Sequence, residues 1–161
     1  MDVAYLATVG FNERPPFNSM RAVLLKYRPN IGKILLLCSR DDDRRRIRGT
    51  RRIAERIKRM ISKLQYFSGI KIEILEVSQE SIEDVYKRIM NVAEKAKEEG
   101  LELWIDITGG RKTMSSGALL AAKDLGVRCF YFWLYDPIKN KDRDLEEMLE
   151  SIDYEVVEVG V

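Results

Sequence analysis

The sequence predicts a doubly wound α/β fold: a mainly parallel sheet of five strands plus a C-terminal edge strand, with helices on both faces. Three observations carry this. Short apolar, β-branched runs alternate about five times with stretches whose apolar residues recur at helical spacing. The first run is continuously apolar, the pattern of a strand covered on both faces. Finally, residues 103–125 pass sharply from a strand-like run to a helical one through Thr108-Gly109-Gly110-Arg111-Lys112-Thr113-Met114-Ser115. Gly109 and Gly110 there allow backbone geometry closed to other residues.

Taken in order, residues 3–9 form the first strand, ending in Thr8, Val9 and Gly10. A polar loop over 11–15 follows. Pro16 suits the first helical position, and Phe17, Met20, Val23, Leu24 and Tyr27 make a helical stripe that Pro29 stops. Residues 34–38 are the second strand. Its end, Ser39 and Arg40, leads through Asp41, Asp42 and Asp43 into a long basic helix expected over 44–63, with Ile53, Ile57, Met60, Ile61 and Leu64 on one face. Residues 70–77 make the third strand, and Ile82, Val85, Tyr86, Ile89, Ala93 and Ala96 mark its helix, closed near Gly100.

The fourth strand, 103–107, precedes a helix whose face of Met114, Gly117, Ala118, Ala121, Ala122 and Leu125 is small enough to lie close to the sheet or to another copy. Residues 127–135 form an aromatic-rich fifth strand. A short acidic helix over 145–152 and a last strand over 154–159 complete the pattern. The expected order is 3-2-1-4-5, with the winding reversing between the first and fourth strands. Ligands bind beyond the strand C-termini at such a point, which sets the 8–14 loop opposite the 108–115 turn.

Composition narrows the chemistry. The 161 residues suit one domain over 1–161, and neither a leader nor an apolar run of bilayer length is expected, which implies a cytoplasmic protein. Histidine is absent, which removes the commonest acid–base catalyst and metal ligand; no metal and no cofactor are expected. Cys38 and Cys129, inside apolar runs and without Cys-x-x-Cys spacing, read as buried thiols. The net charge of +2 is too small to argue for general nucleic-acid binding, yet it hides an asymmetry. Residues 40–63 hold eleven cations against Asp41, Asp42, Asp43 and Glu55, whereas 142–161 hold eight acids against Arg143 alone. With 34% charged residues and two glutamines the composition leans towards a thermophile.

The 108–115 turn is a cradle for an anion, because the first turn of the following helix leaves its N–H groups unpaired and Arg111 and Lys112 add charge there. Three familiar phosphate and nucleophile motifs do not fit. A Walker A loop needs Gly before Lys-Ser/Thr, where Arg111 stands; a dinucleotide fingerprint needs a second glycine two residues after Gly10, where Asn12 stands; a nucleophile elbow ordinarily needs a histidine base.

Residues 106–115, Asp-Ile-Thr-Gly-Gly-Arg-Lys-Thr-Met-Ser, together with the first-strand ending Ala7-Thr8-Val9-Gly10, resemble the CRISPR-associated Rossmann-fold (CARF) domain family, receptors of cyclic oligoadenylate in type III CRISPR defence. The match is to that family's Asp-x-Thr-Gly-Gly-Thr-Lys-x-Met signature, with Arg111 in place of the usual Thr, and the strand and helix count agrees over residues 1–135. The resemblance implies a Rossmann-like fold and a stand-alone receptor, because a fused HEPN ribonuclease would need a histidine and a winged helix would need further length. Ring nucleases are similar stand-alone members, with cyclic tetra-adenylate the usual substrate.

By that resemblance, Lys112 would stabilise the developing charge on the phosphorane and Thr8 would position the ribose 2′-hydroxyl, while Gly10, Phe11, Asn12, Thr108, Gly109, Gly110, Arg111, Thr113, Met114, Ser115, Ser39 and Arg40 would bind the ligand. A messenger with internal symmetry is best gripped by a twofold homodimer. No duplex nucleic acid and no membrane partner are expected.

Plainer readings stand beside these. Thr8 can simply satisfy backbone at a strand end, and Asp106 reads as a buried acceptor for loop N–H groups rather than a base. The 44–63 helix reads as a solvated face, with the alternative of a nucleic-acid path, and Arg40 and Arg44 are near enough to the strand end to reach a phosphate. Trp104, Phe130, Phe132 and Trp133 are core or dimer contacts. For the whole chain, a non-catalytic sensor or sequestering protein is the alternative to a ring nuclease.

Overall fold

A computed structural model describes residues 1–160. The strands are β1 (Val3–Thr8), β2 (Ile31–Ser39), β3 (Lys71–Val77), β4 (Glu102–Asp106), β5 (Arg128–Leu134) and β6 (Tyr154–Glu158). The helices are α1 (Arg14–Tyr27), α2 (Arg51–Ser62), α3 (Ile82–Glu98), α4 (Lys112–Leu125) and the short α5 (Pro137–Asn140). The sheet runs β3-β2-β1-β4-β5-β6, parallel through its first five strands, with β6 antiparallel on the edge. This is the expected order, and the edge strand takes the expected place.

Alternation along the strands divides the core in two. Tyr5, Ala7, Ile34 and Leu36 face Phe17 and Met20 of α1 and Ile53 and Ile57 of α2. Leu6, Leu35, Leu37 and Ile105 face Val85 and Ile89 of α3 and the small face of α4, Ala118, Ala121 and Ala122. Gly117 brings α4 close to α3: a Cβ there would lie 2.8 Å from the Ile82 carbonyl oxygen and from the Val85 Cβ. The small-residue face therefore serves packing within the chain. Trp104, Phe130 and Phe132 are buried, while Trp133 on the opposite face of β5 is 49% exposed. Burial pushes the Cys38 and Cys129 thiols up to about 12, so both are inert. No helix among the described residues is long and apolar enough to cross a membrane.

Two expected elements differ. The basic helix starts at Arg51, not at 44. Residues 42–47 instead form a tight turn closed by paired backbone bonds between Asp42 and Ile47, at 2.9 and 3.0 Å. The chain must first return past β2. Gly49 lies so close to the Ser39 carbonyl that a Cβ would fall under 3.0 Å from it, Asp41 accepts the Gly49 N–H at 2.7 Å, and Thr50 donates its hydroxyl to the Val9 carbonyl at 2.8 Å. Tertiary anchoring thus overrides helical propensity, and Asp41, Asp42 and Asp43 brace a turn rather than the start of α2.

The acidic segment over 145–152 keeps only a single 3₁₀ turn, Leu145–Glu147, while α5 forms where no helix was expected. This segment is laid along α1 by Arg14 with Asp144, Arg21 with Glu146 and Lys26 with Glu150, and by Asn18, which donates to the Arg143 carbonyl at 2.8 Å. Edge strand β6 is secured by Arg128. Its guanidinium makes two bonds to Glu158, at 2.7 and 2.8 Å, and lies 4.2 Å from the Tyr27 ring centroid and 4.5 Å from that of Trp104.

Candidate functional site

The site lies where β1 and β4 run side by side and their following helices depart to opposite faces of the sheet. Their loops touch backbone to backbone. A Cβ on Gly10 would lie 2.9 Å from the Gly110 nitrogen, and one on Gly109 would fall under 3.0 Å from the Thr8 carbonyl oxygen. Gly110 has a φ of 90°, in the left-handed region that favours glycine. The glycines are therefore required by the closeness of the two loops as well as by the turn.

Beneath the turn, Asp106 is 1% exposed and accepts two hydrogen bonds, from the Thr108 N–H at 2.9 Å and the Tyr5 hydroxyl at 2.6 Å. Burial raises the Asp106 carboxyl above its ordinary value, against the lowering effect of the neighbouring Ser19, Thr108 and Tyr5 donors. Tyr5 is raised by its own burial and then by the Asp106 charge. Asp106 is an acceptor for the loop, as the plainer reading expects. Because its folded-state value lies above the unfolded one, the native state binds more protons, and stability falls as pH rises from the ordinary carboxyl range through the folded value. Asp106→Asn is expected to remove that slope, read as melting temperature against pH in the acidic range; an unchanged slope would place it elsewhere.

Thr8 is wholly buried, and its hydroxyl donates to the Gly109 carbonyl at 2.5 Å. It clamps the turn from beneath, with its hydroxyl engaged by backbone. Ser39 and Met114 are buried likewise: the Thr50 hydroxyl accepts the Ser39 N–H at 3.0 Å, and Met114 lies in the core under α4. Asn12 accepts the Arg14 N–H at 3.1 Å at the start of α1. Thr108 donates to Ser19 at 3.0 Å and accepts from the Phe132 N–H at 2.9 Å, tying the turn to α1 and β5. Ser115 reaches the Gly109 carbonyl at 3.2 Å.

What remains at the surface is a compact set. Gly10, Phe11, Gly109, Gly110, Arg111 and Lys112 come together, with the Arg111 guanidinium 4.9 Å from the centroid of the Phe11 ring, which is 49% exposed. No side chain caps α4, so its first-turn N–H groups face outward beside two cations. Lys112 is exposed, and among the described residues it has no ion-pair partner. Cations at the positive end of a helix are unfavourable by several tenths of a kcal/mol, roughly, and a bound anion reverses that. Arg40 stands on the flank, 3.4 Å from Asp84.

Sequence reasoning missed Gln79. It is 7% exposed, donates from Nε2 to the Arg40 carbonyl at 3.0 Å, and accepts the Thr113 hydroxyl on its backbone carbonyl at 2.7 Å. It thereby joins the ends of β2 and β3 to the first turn of α4. Nothing local in the sequence marks it, whereas Tyr5 and Ser19 were detectable as polar groups set within apolar stripes.

The doubly wound sheet, with this glycine-rich, cationic turn at its switch point, agrees with the resemblance of residues 106–115 to CARF domains. The chain belongs to the family described as CRISPR-associated protein NE0113, whose profile matches residues 59–158, the turn included. It is 39% identical over 89 residues to the CRISPR system ring nuclease SSO2081 of Saccharolobus solfataricus, a match spanning 50% of this chain and 48%, about half, of that protein.

Two solved structures share the fold. Enterococcus italicus Csm6 bound to cyclic hexa-2′-fluoro-hexa-dAMP matches with a TM-score of 0.63 and 17% identity, over 100% of this chain and 43% of that one. Can2 from Sulfobacillus thermosulfidooxidans in complex with cyclic tetra-adenylate gives 0.54 and 14%, over 80% of this chain and 31% of that one.

Proposed function

We propose that this chain, a single domain over residues 1–161, binds cyclic oligoadenylate, foremost cyclic tetra-adenylate, and cleaves it as a ring nuclease that ends type III CRISPR signalling. The observation that carries the reading is the uncapped start of α4, with Arg111 and the exposed Lys112 above the Gly109-Gly110 turn. The identity to SSO2081 supports it.

In the reaction, a ribose 2′-oxygen bonds to its adjacent phosphorus and the bond from phosphorus to the 5′-oxygen breaks. The 2′-hydroxyl proton goes to solvent and the departing 5′-oxygen takes one up, leaving a 2′,3′-cyclic phosphate and a 5′-hydroxyl. The nucleophile belongs to the substrate, so the chain supplies in-line geometry and charge stabilisation. Lys112 and the N–H groups of residues 110–113 meet the charge on the phosphorane. Arg111 and Phe11 hold the ring's edge, and Thr8 acts from beneath by holding the turn. No metal and no cofactor enter these steps. A homodimer brings two such cradles to one symmetric ligand, and the exposed Trp133, Tyr135 and Val157 offer apolar surface for it.

A non-catalytic sensor is the second reading, favoured by one observation: the hydroxyl expected to align the nucleophile, Thr8, is buried and engaged. Incubating the protein with labelled cyclic tetra-adenylate in chelator separates the two. Linear products ending in 2′,3′-cyclic phosphate are expected. Tight binding with the ring intact selects the sensor, and failure to bind any cyclic or linear oligoadenylate overturns both.

A further inference from the structure

Helix α2 carries its cations on two stripes with different fates. Arg51 is neutralised by Glu55 and Glu76. Arg52, Arg56, Arg59 and Lys63 recur at i, i+4, i+7 and i+11, which sets them within an arc of about 60° over about 16 Å of helix. All four are exposed, on the side away from the buried Ile53, Ile57 and Ile61. Among the described residues Arg52, Arg59 and Lys63 have no carboxylate within 4.0 Å, and Arg56 meets only Glu13, at 4.0 Å. Like charges at this spacing weaken a helix by a few tenths of a kcal/mol, roughly, per pair, so the row does not serve stability.

We propose that this stripe is a docking track for a single-stranded polynucleotide, held through its phosphates. The charge pattern selects this occupant. Regularly spaced cations on one line match the repeating charge of one sugar–phosphate strand. A duplex presents two backbones, whereas the neighbouring stripe offers a single unneutralised cation among the described residues, Lys58, beside the neutralised Arg51. A membrane-surface helix needs a free apolar face, whereas that of α2 is spent on the core. Just past the track, Tyr66 is 64% exposed and offers a ring on which a base can stack. Binding to the track does not require a ligand at the α4 turn.

The test uses the whole chain and a fluorescein-labelled, mixed-sequence RNA strand about 15 nucleotides long, followed by anisotropy. With four phosphates neutralised, log K against log salt should slope by about −3, so that affinity falls about 50-fold between about 50 and about 200 mM salt. The combined variant Arg52→Gln, Arg56→Gln, Arg59→Gln and Lys63→Gln should lose the binding and the slope, while Arg51→Gln stays within about twofold of native. Should the combined variant fail to fold, Arg59→Gln alone should lower the slope by about 0.7. No binding at low salt, a slope untouched by these changes, or equal binding of an RNA duplex, polyglutamate or phosphatidylserine vesicles would overturn the proposal.

Discussion

Lys112→Ala is expected to slow ring cleavage by about 100- to 1000-fold, the usual effect of removing one group that meets charge developing in a transition state. The effect should lie in single-turnover rate more than in binding, because Arg111 and the first-turn N–H groups of α4 remain to hold a phosphate. Thermal unfolding should rise by about 1 °C at most, since the exposed side chain has no ion-pair partner among the described residues and its charge is unfavourable at the helix start. Lys112→Arg would keep the charge with a different shape, and partial recovery of the rate would show that charge is what matters. A Lys112→Ala protein that cleaves within tenfold of native would remove Lys112 from the chemistry.

Gly109→Ala should disable the protein by another route. The added methyl group would lie under 3.0 Å from the Thr8 carbonyl oxygen, in a place hemmed by backbone on both sides. The two loops must part, and the Thr8 bond to the Gly109 carbonyl goes with them. A cost of about 3 kcal/mol is expected, or a fall of about 10 °C in melting temperature, with ligand affinity lost as well. Gly126→Ala is the matched control. Its φ is 65° but a Cβ there meets nothing within 4 Å, so only the local strain of about 1 kcal/mol remains and the site is untouched. Equal behaviour of the two variants would mean that the crowding between the loops is not what requires a glycine at 109.

Much of the architecture is legible in the amino-acid pattern. Buried parallel strands leave uninterrupted apolar runs, and crossover helices leave a 3.6-residue stripe, so strand order and the position of the switch point follow from pattern and handedness. The start of α2 is not legible there, because Arg44, Arg45 and Arg46 suit a helix and only Thr50, reaching the Val9 carbonyl far away in sequence, sets where it begins. The acidic 145–152 segment departs from its helical pattern for the same reason. Its conformation is imposed by Arg14, Arg21, Lys26 and Asn18 on α1.

By itself, then, the sequence determined the doubly wound sheet, the glycine turn after β4 and the presence of Arg111 and Lys112 at a helix start, since each is written in local spacing. Only the tertiary structure decided which of the named side chains a ligand can reach. Thr8, Ser39 and Met114 are buried, Lys112 is exposed with no ion-pair partner among the described residues, and Gln79 links the turn to β2 and β3. Burial and hydrogen-bond partnership are set by residues distant in sequence, so no local pattern records them.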